Sequence, residues 1–125
     1  MTVPGHRPQR LGQRILEEIG ELLVGELKDP RIGLATVTGV RVTPDLRQAL
    51  VGISVLGTEE EKKKTIEGLR AAAPFIRHEL AERLDIRRVP ELTFKLDESA
   101  ERAARIDELL RKSKADSRTD DEREG

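Results

Sequence analysis

The stretch "LATVTGVRVTPDLRQALVGISVLG", residues 34–57, constrains the fold more than any other part of the chain. Val, Ile and Thr dominate it, and Ala49, Val51, Ile53 and Val55 recur at every second position. That period puts one side of a strand toward a core. Thr43, Pro44 and Asp45 supply turn chemistry between two such runs, so the segment predicts a β-hairpin. Gly39 and Gly52 mark bulges or places where another element comes close.

The flanking segments have helical spacing instead. Over residues 7–28, Leu11, Ile15, Ile19, Leu22, Leu23 and Leu27 form one apolar stripe. Gly12 lies in that stripe, suited to close packing, and Pro30 ends the helix by pushing Asp29 out of helical geometry. Thr58 with Glu61 is a capping box, so a second helix starts near residue 59. Ile66, Leu69, Ala72 and Ala73 give its inner side; Lys62, Lys63 and Lys64 read as a solvated face. Pro74 falls inside this pattern, where a missing donor and a crowding ring cost about 3 kcal/mol. The expectation is a break at Pro74 and a further helix to about residue 85, with Ile76, Leu80 and Leu84 inward.

"RRVPELTFKLD", residues 87–97, holds a third strand, with Leu92, Phe94 and Leu96 on one side. A last helix spans 99–112, with Glu98 and Glu101 at its positive end and Arg111 and Lys112 at its negative end. Residues 1–6 read as a flexible N-terminus, 7–112 as one domain, and 113–125 as a disordered charged tail without a buried face. The class is α+β: a three-stranded sheet with helices packed on one face.

Composition narrows the function. The 125 residues suffice for one core, and no cysteine is present for disulfides or thiolate metal sites, which suits a reducing compartment. No apolar run approaches the roughly 18 residues of a membrane span. The net charge is −1, which taken alone argues against a nucleic-acid binder. Residues 113–125 carry three basic and five acidic side chains; without that −2 the rest stands at +1, so a basic surface must come from clustering. Two Phe are the only aromatics, which counts against base-stacking modules. No metal-ligand motif, phosphate loop or nucleophile motif appears. "HELAE" at 78–82 lacks the second histidine of a zinc-protease helix, and His78 reads as a surface residue. No catalytic residue, metal or cofactor is assigned.

The element order is similar to the type II KH arrangement, and the motifs narrow this further. "DPRI" at 29–32, "TVTGVRVTPDLRQALVGISVLG" at 36–57, "LRAAAPFIRHELAERLDIRRVPELTFKLDES" at 69–99 and "RIDELL" at 105–110 occur in one order. With Arg7, Ile15 and Ile19 they make the chain resemble the ribosome-binding factor A family. The resemblance implies a cytoplasmic, monomeric, non-enzymatic factor of ribosome biogenesis, linked to growth in the cold. It implies binding to the free or immature 30S subunit and its 16S rRNA, and support of late maturation and rRNA precursor processing. An assembly GTPase and initiation factor three are the further partners it suggests. A protein-only adaptor that touches no RNA is the alternative.

The chain contains no GxxG, the backbone-clamping loop of ordinary KH domains. The family carries Ala-x-Gly at its kink, which aligns with Ala72, Ala73 and Pro74 here. Proline keeps a break but donates no N–H, so RNA attachment falls to side chains. Arg70, Arg77, Arg83, Arg87 and Arg88 lie near that point in sequence, and Arg7, Arg10 and Arg14 extend the surface if the first helix packs nearby. Arginine forks suit phosphate. The competing expectation is that several of these arginines simply pair with Glu79, Glu82 or Glu91.

Overall fold

A computed structural model describes residues 6–25, 27 and 29–124, with side chains described over 7–25, 27 and 29–114. The elements are α1 (His6–Gly25), β1 (Ala35–Val42), β2 (Gln48–Val55), α2 (Glu59–Leu84), β3 (Glu91–Leu96) and α3 (Ser99–Glu124). Residues 1–5 of the expected flexible N-terminus lie outside the described residues.

β2 is the central strand, antiparallel to β1 and parallel to β3. The alternation in β2 is realised: Ala49, Val51, Ile53 and Val55 are buried. Leu92 and Phe94 of β3 join them from the side, and Ile15, Ile19 and Leu22 of α1 and Ile66, Leu69, Ile76, Leu80 and Leu84 of α2 close the core from above. α1 packs on β1 through its glycine: a Cβ on Gly12 would stand 2.9 Å from the Val40 carbonyl oxygen. The register slips between Val37 and Gly39, and the bulge carries the Thr38 hydroxyl to where a Cβ on Gly52 would be, 2.8 Å away. Gly52 therefore makes room for the bulge, whereas a Cβ on Gly39 would meet nothing within 4 Å.

Four expectations are corrected. First, α1 ends at Gly25 rather than near Pro30; the Leu27 N–H bonds to the Leu22 carbonyl at 3.0 Å and closes the end. Second, α2 is one helix of 26 residues with Pro74 inside it, not two helices joined by a break. Pro74 removes a single donor, that for the Arg70 carbonyl, and both residues lie on the exposed side of the helix, where an unpaired carbonyl costs little. Core side chains on both sides of Pro74, Ile66 and Leu69 before it and Ile76 and Leu80 after it, pack the two halves against one core. Third, Lys62 is not on a solvated face. Its side chain is 7% exposed and its ammonium bonds to Glu101 at 2.9 Å, because the start of α3 lies over it. That bond raises the Lys62 pKa. Fourth, helical backbone continues past residue 112 to Glu124, through the segment expected to be disordered. No Gly or Pro interrupts 99–124, and Asp107 supports Arg111 one turn on. The described side chains of α3, residues 99–114, are all exposed and add nothing to the core.

Candidate nucleic-acid interface

One end of the domain gathers four segments. α1 brings its first turns. The β1–β2 turn is built by side chain and backbone together: the Thr43 hydroxyl donates to Asp45 at 2.6 Å, and the Arg47 N–H donates to the same carboxylate at 3.1 Å. These bonds lower the Asp45 pKa, the Thr43 hydroxyl having the larger effect. Leu46 takes the left-handed conformation, φ 62°, and its N–H closes on the Thr43 carbonyl at 2.8 Å. The last turns of α2 form the third segment.

The fourth is the loop after α2. Asp85 is a left-handed cap at φ 51°, ψ 51°, and the Ile86 N–H reaches the Ala81 carbonyl at 3.2 Å. The chain thereby reverses and carries Arg87 and Arg88 back across the end of the domain. Two bonds hold this loop: Arg77 Nη2 donates to the Val89 carbonyl at 3.0 Å, and the Glu91 N–H donates to the Arg47 carbonyl at 2.8 Å.

Between these segments lies a groove of about 1320 Å³. Arg7, Arg10, Arg14, Arg47, Arg77, Arg87 and Arg88 line it, against only Asp45 and Glu91, with Leu11, Leu46, Ile86 and Val89 as its apolar floor. Among the described residues none of the seven arginines forms an ion pair. Their charges add in one place although the whole chain is nearly neutral. Seven guanidinium forks against two carboxylates, none of them in an ion pair among the described residues, suit a polyanion, and without aromatic rings the groove offers no platform for stacking bases.

The structure places the expected residues unevenly. Arg7, Arg10 and Arg14 do join Arg77, Arg87 and Arg88. Arg70 is exposed on α2 but outside the groove. Arg83 is also outside it; its guanidinium meets Glu18 at 3.1 Å, Glu21 at 3.2 Å and Glu79 at 3.6 Å, and so staples α2 to α1. Ala72 and Ala73 are half-buried against the core, and Pro74 is exposed away from the groove. Arg47 was not among the expected residues. Its neighbours in sequence give no charge cluster; only the parallel pairing of β3 with β2 brings it beside Arg87 and Arg88.

His78 pairs with Glu82 at 3.2 Å on the surface. No group of three or more potential metal ligands occurs among the described residues, and none of the described helices is long and apolar enough to cross a membrane.

Comparison with known proteins gives a consistent result. The family model described as ribosome-binding factor A matches residues 7–110. The chain is 49% identical over 107 residues to the ribosome-binding factor A of Koribacter versatilis, covering 86% of this chain and 87% of that one. Its fold is similar to the crystal structure of the Thermus thermophilus factor, with TM-score 0.62 and 27% identity over 71% of this chain and 94% of that one. It is also similar to a homology model of the Thermus thermophilus factor fitted into a cryo-electron-microscopy map of a complex with the 30S subunit, with TM-score 0.61 and 27% identity over 73% and 96% of the two chains.

Proposed function

The chain belongs to the ribosome-binding factor A family, and from that premise we propose that it binds the free or immature 30S subunit through the arginine groove. The observation that carries this reading is the convergence of seven arginines, without ion pairs among the described residues, from four segments. Phosphate is the ligand such a groove favours, and the similar Thermus thermophilus factor, fitted in a complex with the 30S subunit, supports 16S rRNA as its source. The groove reads backbone and shape, since it holds no aromatic ring.

In this reading the protein is not an enzyme. It supports late maturation and processing of the 16S precursor by favouring the RNA conformations it binds best. It acts as a cytoplasmic monomer, with an assembly GTPase and initiation factor three as the partners suited to its release.

Co-sedimentation with small subunits, large subunits and 70S ribosomes at two salt concentrations tests the reading. Binding confined to free or immature small subunits, falling steeply with salt, is expected. Absence of binding at low salt by the folded protein contradicts it.

A further inference from the structure

α3 carries an apolar stripe that the fold leaves uncovered. Ile106, Leu109 and Leu110 are 58%, 60% and 56% exposed. At 3.6 residues per turn they share a face with Ala103. Arg105 and Lys112 run along one margin of that face, Lys114 lies on the other, and Arg102 sits at its N-terminal end. Among the described side chains, Asp107 is the acid one turn from Leu110, and it is engaged by Arg111 at 3.5 Å. The result is an amphipathic helix with a cationic rim.

The root of α3 is fixed and its stripe is not. Asp97 accepts from the Thr38 hydroxyl at 2.7 Å and from the Ser99 N–H at 2.9 Å, and Lys62 holds Glu101. Beyond Glu101 the described side chains make no contact with the core. The helix therefore projects from the end of β3 opposite to the arginine groove, since Glu91 lines that groove and Leu96 ends the strand.

The chemistry selects the occupant. An RNA backbone would satisfy the cations but gives Ile and Leu no apolar surface. A second copy would bring one cationic rim against another. A helix with an apolar face and basic margins fits an apolar groove rimmed by Asp and Glu. We propose that α3 docks in such a groove on a protein of the small-subunit particle, while the arginine groove holds RNA. This inference rests on the ribosomal reading above.

The test places a photo-crosslinking amino acid at Leu109 of the full chain, bound to purified immature small subunits. Peptide sequencing identifies what is crosslinked. A protein crosslinked at a site flanked by Asp or Glu is expected. Ile106→Glu should lower the yield of that crosslink roughly tenfold, as loss of a central apolar anchor does. It should leave the helix content and the RNA crosslinks of the groove unchanged. Co-sedimentation with crosslinks to RNA, to a second copy or to nothing overturns the docking inference alone. Failure to co-sediment overturns the ribosomal reading and this inference with it.

Discussion

The Arg77 guanidinium donates to the main-chain carbonyl of Val89 across 3.0 Å, and so ties α2 to the loop that presents Arg87 and Arg88. Arg77 is thus partly a structural residue, whereas Arg87 and Arg88 are exposed and form no ion pair among the described residues. The two kinds of arginine respond differently to substitution.

Arg77→Gln removes a charged hydrogen bond worth about 1.5–3 kcal/mol. It should lower the melting temperature by several degrees and weaken RNA binding through displacement of the loop. Arg87→Glu should weaken binding while leaving the melting temperature unchanged. Calorimetry beside a binding titration reads both; equal melting losses for the two variants would show that Arg87 is structural as well.

Replacing Arg7, Arg10 and Arg14 with Gln should flatten the dependence of affinity on salt. Each lost phosphate contact reduces the slope of log K against log salt by about 1. Far-ultraviolet circular dichroism should be unchanged, because these side chains lie off the buried stripe of α1. A variant with the wild-type slope would place the phosphate contacts elsewhere.

Pro74 sits inside α2 and outside the groove. Pro74→Ala restores a helical donor and should stabilise the domain by about 1–3 kcal/mol in urea titration. Affinity for the subunit should not change. A loss of affinity with the fold intact would mean that the shape at Pro74 is itself read by the RNA.

Asp97 is held from the ordinary 3.8 down to about 2, first by the Ser99 hydroxyl, then by the Thr38 hydroxyl and the Ser99 N–H. A depressed folded-state pKa contributes stability that is full above the unfolded pKa and is lost as pH falls toward the folded one. The melting-temperature difference between the wild type and Asp97→Asn should therefore be constant above about pH 4 and shrink between there and about pH 2. A difference independent of pH over that interval would exclude the carboxylate as its source.

The legible part of the fold was what local periodicity encodes. Ala49, Val51, Ile53 and Val55 point inward as their spacing requires, and the capping box at Thr58 and Glu61 forms with both of its bonds. The rest depended on contacts distant in sequence. Lys62 looked solvated because Glu101, its partner, is 39 residues away. Gly68 carries no visible signal, yet a Cβ there would stand 2.9 Å from Ile32, so the "DPRI" loop needs it. Pro74 is a local signal for a break that packing of both flanks overrode.

The candidate groove was half legible. The arginines of α1 and of the α2–β3 loop were identifiable as clusters, but their meeting requires the chain reversal at Asp85. Arg83 resembled its neighbours in sequence and differs only by facing three carboxylates, two of them on α1. Arg47 became part of the group only through the bond between its carbonyl and the Glu91 N–H.

Ultraviolet crosslinking of the protein bound to immature small subunits, read by mass spectrometry of nucleotide-bearing peptides, shows whether the arginine groove holds RNA. 16S nucleotides are expected on peptides containing Arg7 to Arg14, Arg47, and Arg87 with Arg88. A stable complex whose nucleotide crosslinks all fall outside the arginine groove would contradict that expectation.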